Sequence, residues 1–480
     1  MKTLTKLIQH IETIEIIGNT DRNINHISID SRDMQPDGLF IAILGDTIDG
    51  HEYISNAIDN GAVSIVCQNI PEKKIDGVTY ISTADARIAI GHIASSFYNN
   101  PSTDITLIGI TGTNGKTTTA ILIYQLLQLL GKSSAVLSTA GDFFNGKEYA
   151  VHRVAPTSIE IIEFNRVLRK LVDEGCEYCT FEVSSHALDQ HRIAGLIMNV
   201  GVYTNLSQDH LDYHKTMENY AAAKKKLFDL IPAGAHAIMN TDDDYVEFMS
   251  RDTKATIHPY GMSQITDVLY TTAGVDLTID NHNYHLPLLG KFNVYNTLAA
   301  IESLAALGFD KKEILRHIKN LQPIAGRAEL VQHPGGATGV IDYAHTADGL
   351  ENILTALRDV MTGKQRLITV VGCGGDRDTT KRKPMGEMTM RYSDYSIFTS
   401  DNPRGENPED IITMMSEKLE PSEKWTRVTS RADAIAHAIE YATPDDVILI
   451  AGKGHETYQE IQGVKHPFSD RDVFSQSINS

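Results

Sequence analysis

Residues 110–120 read ITGTNGKTTTA, a Gly-rich turn running into Lys and Thr, and that chemistry suits the gripping of a polyphosphate. Gly112 and Gly115 let backbone N–H groups turn inward around phosphate oxygens, with Thr113 and Asn114 in the same turn. Lys116 adds a mobile cation, Thr117 is placed to bind magnesium, and Thr118 follows in the first helical turn. The usual spacing G-x-x-x-x-G-K-[ST] would require glycine at Ile110, so the pattern is one glycine short. Its context favours a site over an ordinary strand-to-helix turn. The run 105–110, ITLIGI, suits a buried parallel strand, and TTAILIYQLLQLL reads as a helix stopped by Gly131.

Three polar clusters follow apolar strands further on: FEVSSHALDQHR (181–192), VYTNLSQDHLDYH (202–214) and the helical YAAAKKKLF (220–228). Glu182 and His210 each sit just past a strand, on the phosphate-loop side of a doubly wound sheet, where a carboxylate and an imidazole make a reasonable magnesium shell. His210 and His214 also have the H-x-x-x-H spacing of zinc ligands, but a phosphate loop alongside favours the harder metal. Lys224, Lys225 and Lys226, taken alone, read as a solvated helix face. Cys176 and Cys179 form a C-x-x-C that enters an apolar strand and not a helix N-terminus, so the pair reads as structural.

The elements that must hold these groups need more than one domain, because 480 residues exceed one ordinary core. Apolar content of 41% and charged content of 22% are those of a soluble globular protein. A net charge of −19 argues against nucleic-acid or anionic-membrane surfaces, while leaving room for a local basic pocket. The N-terminus is interrupted by Gln9, His10, Glu12 and Glu15, unlike a signal peptide, and no run reaches the roughly 18 apolar residues of a membrane helix. A cytoplasmic location and a monomer are the expectations. GLFIAILG and GAVSIVCQ read as strands and ADARIAIGHIASSFY as a helix before a boundary at Pro101 and Ser102. Strand–helix alternation from 103 to about 326 predicts a mostly parallel sheet. After a second break at QPIAGRAEL, four strands, GVIDYAH, RLITVVGCGG, DYSIFTSDN and DVILIAGKG, end in polar or Gly-rich residues expected to converge on one site. The predicted fold is α/β with three domains, at 1–102, 103–326 and 327–480.

GTNGKTT, EVSSHAL with QHR, TNLSQDHLDYH, YxxAK, GKFNVYN, AGR, DYAHT, GCGGDRD, DNPR and GKGHE occur in the order seen in the Mur ligases of peptidoglycan synthesis, which the chain resembles along its whole length. SIDSRDMQPDGLFIA with DGHEYI looks like the UDP-binding domain of the member that adds the third peptide residue. The resemblance implies a UDP-binding N-terminal domain, a central ATPase domain and a Rossmann-like C-terminal domain. It implies that ATP phosphorylates the D-glutamyl carboxylate of UDP-N-acetylmuramoyl-L-Ala-D-Glu and that the amine of meso-diaminopimelate attacks the acyl phosphate. ATP and magnesium are the implied cofactors, and this family's ATP loop does not use the earlier glycine.

By the same resemblance Lys224 is carbamylated and becomes a magnesium ligand, while Lys225 and Lys226 keep the solvated reading. Asn296 and Arg327 look like adenine and phosphate contacts, and Asp342 and His345 like the C-terminal share of the nucleotide site. Ile29, Ser31, Asp46, Thr47 and Ile48 look like uridine-nucleotide contacts; Ser184, Gln190 and Arg192 resemble contacts to the muramoyl dipeptide. Diaminopimelate carries a second amino-acid head that lysine lacks. Arg404 would hold its carboxylate while Asn402 and Glu456 meet its polar groups, with Asp401, Pro403, Arg377 and Gly452 completing the pocket. An enclosed arginine left unpaired costs ~3–5 kcal/mol, which disfavours lysine by roughly two to three orders of magnitude. The chain departs from the family pattern at Val154, Ala155 and Pro156, where Thr-Thr-Pro is usual, at ADG after DYAHT, at KRKPMG and at STAGDFFNG. Those departures motivate a second reading, the same ligase chemistry on L-lysine or on a non-peptidoglycan acceptor. A non-catalytic nucleotide-binding protein is a third, opposed by the full set Lys116, Glu182, His210 and Lys224.

Overall fold

Three large sheets follow one another along the chain in the computed structural model, which describes residues 2–45, 48–152, 157–333 and 336–476. The first contains β1 (Thr13–Ile17), β2 (His26–Ser28), β3 (Gly38–Ile41), β4 (Ala62–Cys67) and β5 (Thr79–Thr83), in the order β1-β5-β4-β3-β2. Strands β2 to β5 are parallel and β1 runs against β5. Helix α1 (Ala86–Phe97) starts where Asp85 accepts the backbone N–H groups of Arg87 and Ile88, which satisfies two of the helix's unpaired donors. Its Ile90 and Ile93 pack with Leu39, Ile41, Val66 and Ile81 of the sheet.

The second sheet carries the phosphate loop. Its strands are β6 (Thr106–Thr111), β7 (Ser134–Ser138), β8 (Gly141–Phe144), β9 (Lys147–Glu148), β10 (Tyr178–Glu182), β11 (Val200–Tyr203), β12 (His236–Asn240) and β13 (Thr256–Tyr260), ordered β9-β8-β7-β10-β6-β11-β12-β13. From β7 to β13 every pairing is parallel, as the strand–helix alternation requires. Helices α2 (Lys116–Leu129), α3 (Ile161–Asp173) and α4 (Met217–Leu230) cover it, with α5 (Lys291–Ala306) lying on α2. Apart from the Thr119–Asn296 contact near their N-terminal ends, α2 and α5 meet largely through apolar side chains, which explains why TTAILIYQLLQLL is so rich in Leu and Ile: it is sandwiched between the sheet and another helix. Two features depart from the expected alternation. STAGDFFNG folds into the antiparallel strand β8, next to the sheet's edge strand β9, and residues 267–286 form a separate antiparallel sheet of β14 (Asp267–Thr271), β15 (Gly274–Ile279) and β16 (His282–Leu286).

The third sheet has β17 (Glu329–Gln332), β18 (Thr338–Asp342), β19 (Leu367–Val371), β20 (Tyr395–Phe398), β21 (Trp425–Arg427) and β22 (Val447–Ala451), ordered β17-β18-β22-β19-β20-β21. All but β17 are parallel. Helices α6 (Ala347–Val360), α7 (Arg382–Tyr392), α8 (Arg431–Tyr441) and α9 (Asp470–Gln476) pack on it. Arg431 and Asp470, both fully buried and 2.7 Å apart, tie α8 to α9. Among the described residues no helix is long and apolar enough to cross a membrane.

Candidate active site

The carboxyl ends of the second and third sheets face one another across a cavity of about 740 Å³. On one wall lies the phosphate loop. β6 ends at Thr111, and Gly112 and Gly115 then take positive φ of 149° and 84°. A Cβ would stand 1.8 Å from Thr204 Oγ1 at the first and 2.4 Å from Asn296 Oδ1 at the second, so glycine is required by both backbone and space. Thr113, Asn114, Gly115, Lys116, Thr117 and Thr118 line the cavity, whereas Gly112 lies behind them and turns its carbonyl to Lys116 and Lys224. Asn296, at the start of α5, accepts from Thr119 and is buried beneath Gly115.

Thr117 Oγ1, Thr139 Oγ1 and Glu182 Oε1 form a tight oxygen cluster with every separation 2.9 Å, and Arg327 donates to Thr117 across 2.9 Å. The Thr139 N–H also donates to Glu182, at 2.7 Å. Beside this cluster Lys224 is 1% exposed, donates to the Gly112 carbonyl at 2.7 Å and lies over the Tyr220 ring. Burial pushes its amine well below the ordinary lysine value, and neighbouring Lys116 pushes it further. Lys225 and Lys226, in contrast, pair with Asp229 and Asp189 on the outer side. His210, at a left-handed φ of 54°, stands among His186, Tyr220 and Asp209; burial drives its imidazole down to about 3. His214 donates to or accepts from Ser185 at 2.9 Å and does not line the cavity. Among the described residues no three His, Cys, Asp or Glu side chains gather closely enough to hold a metal ion. The two hard oxygens of Thr117 and Glu182 fit magnesium, and a carbamate on Lys224 would add a second carboxylate-like ligand.

Ser184, Gln190 and Arg192 share the next stretch of wall. Ser184 caps a short helix by accepting from Ala187, and Arg192 is oriented by Gln190 at 2.7 Å and Glu160 at 3.1 Å. The opposite wall comes from the third sheet. Asp342, at the end of β18, accepts the N–H groups of Ala328 and Ala344, so it holds the Arg327 turn in place while facing the cavity. His345 lies 3.8 Å from Asp209. After β20, Asp401 and Asn402 are buried; Asn402 donates to Glu456 at 2.8 Å, and Arg404 donates to the Gly375 carbonyl at 2.7 Å. Arg377, Arg404, Gly452 and Glu456 all line the same cavity, so the four strand ends converge as expected. Pro403 belongs to the loop but does not line it.

Ile29 and Ile48 are exposed and Ser31 is buried on the first sheet's edge, and none of the three borders the cavity. Asp46, Thr47, Val154, Ala155 and Pro156 lie outside the described residues. Several residues at the site carried no sequence assignment. Lys453, fully buried, donates to Asn402 and Glu456 at 2.9 Å each and lies 3.5 Å from Asp401; it was visible inside GKGHE. Asp209 was visible inside SQDH. Burial raises its carboxyl, but His345, Lys381 and His210 around it hold it well below the usual range. Thr139, Asp348 and Lys381 lie inside STAGDFFNG, ADG and KRKPMG, segments that stood out in the sequence only as departures from the family pattern, because each reaches the site from a loop or helix start far away in sequence.

This arrangement sets a polyphosphate grip opposite a pocket lined by arginines and carboxylates. The chain matches the Mur ligase middle domain over residues 110–304, the Mur ligase, glutamate ligase domain over 326–454 and the Mur ligase family, catalytic domain over 23–98. A curated UDP-N-acetylmuramoyl-L-alanyl-D-glutamate–2,6-diaminopimelate ligase of Phocaeicola vulgatus is 42% identical over 477 residues, covering 98% of each chain. A solved structure of a ligase with the same description is 30% identical, with a TM-score of 0.69 over 100% of this chain and 99% of that one. The fold is also shared with the MurF ligase of Thermotoga maritima in complex with ADP, at 18% identity, a TM-score of 0.59, and 89% and 93% coverage. With matches on all three sheets and that identity along nearly the full length, the chain belongs to the Mur ligase family.

Proposed function

We propose that the protein uses ATP to join the amine of meso-diaminopimelate to the D-glutamyl carboxylate of UDP-N-acetylmuramoyl-L-alanyl-D-glutamate, in peptidoglycan precursor synthesis. The observation that carries the reading is the single cavity in which the phosphate loop faces the Asn402–Arg404–Glu456 pocket. Residues 112–118 with Asn296 and Arg327 hold the nucleotide, Asp342 and His345 complete that site from the third sheet, and Lys116 offsets charge on the transferring phosphoryl group. Ser184, Gln190 and Arg192 hold the muramoyl dipeptide, whose uridine end rests on the first domain at Ile29, Ser31 and Ile48. Arg377, Arg404 and Glu456 fix the incoming amino acid so that its amine meets the acyl phosphate, and the gain is chiefly that of orientation. Thr117, Glu182, His210 and carbamylated Lys224 hold magnesium, which neutralises phosphate charge when bound. The domains divide at 102/103 and 326/327, and the enzyme works as a cytoplasmic monomer.

The test is release of inorganic phosphate by purified protein supplied with ATP, the UDP-muramoyl dipeptide and diaminopimelate. Release is expected only with all three present, at a rate roughly two to three orders of magnitude above that with lysine. Release that needs no dipeptide, or that is equal with lysine, overturns the assignment.

A further inference from the structure

The two loops that carry the pocket arginines are fastened to each other by one ion pair, between a buried arginine and a partly exposed glutamate. Arg382, at the first position of α7, is 1% exposed, and its guanidinium forks onto Glu406 with Nη1 to Oε2 at 2.8 Å and Nη2 to Oε1 at 2.7 Å. Its Nη2 also reaches the Gly374 carbonyl at 3.3 Å, and Nη1 the Met414 sulfur at 3.1 Å. Glu406 belongs to the loop after β20, two residues beyond Arg404. Its Oε1 additionally accepts the Asp376 N–H at 2.6 Å, so one carboxylate joins α7 to both loops. Around it the loops are laced together: Gly405 N–H donates to Asp376 Oδ2 at 2.9 Å, Gly375 N–H to the Asn402 carbonyl at 2.9 Å, and Arg404 Nη1 to the Gly375 carbonyl at 2.7 Å.

Both loops are held in unfavourable backbone conformations where they meet. Asp376 has φ of 52° and Arg404 has φ of 50°, left-handed values that a residue with a side chain seldom adopts unless its surroundings enforce them. Each of these residues sets an arginine facing the cavity: Arg404 itself, and Arg377, which follows Asp376 and donates to its carbonyl at 3.0 Å.

We infer that the Arg382–Glu406 pair is a positioning device for amino-acid choice: it fixes the spacing of Arg377 and Arg404, and so the grip on the distal amino-acid head that distinguishes diaminopimelate from a single-headed amine. This rests on the reading given under Proposed function. Neither residue of the pair lines the cavity, so they act only through the two arginines. A bidentate charged fork transmits geometry, because moving either partner breaks two parallel hydrogen bonds at once.

The test compares Glu406→Gln and Glu406→Ala with the unaltered enzyme, on diaminopimelate and on lysine. For Glu406→Ala, KM for diaminopimelate is expected to rise about tenfold or more, with a smaller rise for Glu406→Gln. KM for ATP and for the UDP-muramoyl dipeptide, kcat at saturating diaminopimelate, and kcat/KM for lysine are expected to hold within about twofold, since none depends on the distal grip. Preference for diaminopimelate over lysine then shrinks by the same factor. Glu406→Asp, which keeps the charge but shortens the reach, is expected to fall between. Equal losses on both amino acids, or an unchanged KM for diaminopimelate, overturn the inference alone. Failure of the unaltered enzyme to use diaminopimelate overturns the functional reading and this inference with it.

Discussion

Lys224 is the residue whose role changes most between sequence and structure. Within KKK it resembles a solvated cation, yet α4 turns its side chain inward to 1% exposure against Tyr220 and the Gly112 carbonyl, while its two neighbours pair outward. Enclosure beside Lys116 holds the amine well below the ordinary lysine value, and so favours the uncharged form that takes up carbon dioxide. Native mass spectrometry is expected to find one added carbon dioxide on the unaltered chain and none on Lys224→Ala, whose kcat is expected to fall by about 10²–10³ and to recover in part with added short carboxylates. An unchanged rate in Lys224→Ala would remove the residue from the site. The helical spacing predicted α4 but not which of three consecutive lysines points inward, since adjacent positions differ by about 100° around the axis and only the packed partner decides.

At the scale of elements, the third sheet owes part of its stability to a carboxylate at the entry to β22. Asp446 is buried; burial raises its pKa, but the Arg366 guanidinium and the N–H groups of Thr443 and Arg366 outweigh that and hold it at about 2. A depressed carboxylate stabilises the folded state above its unfolded value of 3.8 and loses that contribution as pH falls towards 2. Asp446→Asn is therefore expected to cost about 1–2 kcal/mol at pH 7 after solvent screening, with the gap from the unaltered protein closing between about pH 4 and 2 in denaturant titrations. A gap independent of pH would count against the charge as the cause. The parallel strands of this sheet were legible as continuous apolar runs with polar endings. The antiparallel sheet of β14, β15 and β16 was not read, although Val275, Leu277 and Ile279 alternate with polar residues along β15, because its two outer strands are largely exposed or half-buried and carry no long apolar run.

Across the whole molecule, the second and third sheets meet through a few polar contacts as well as through the cavity. Asp348, at the start of α6, accepts from Asn114 in the phosphate loop at 2.6 Å and from Ser207 at 3.1 Å, while Lys381 approaches Asp209 at 3.5 Å and Gln208 donates to Thr380 at 3.1 Å. These contacts hold the phosphate loop against the wall bearing the amino-acid pocket. Removing the acceptor in Asp348→Ala is expected to lower kcat about tenfold without altering the melting of either part, and small-angle scattering would register a more open average shape. A compact shape with full activity would show that closure does not depend on Asp348.

The sequence by itself determined the strand–turn–helix of the phosphate loop, the mostly parallel character of the second and third sheets and the motifs at their strand ends, because local spacing dictates backbone conformation and parallel strands must point their ends the same way. Only the tertiary structure decided which lysine is enclosed, that Asp342 holds the Arg327 turn, and that Arg382 and Glu406 lock two loops together. Each of those depends on groups brought close from distant parts of the chain, and burial and pairing energies between such groups leave no periodic trace along it.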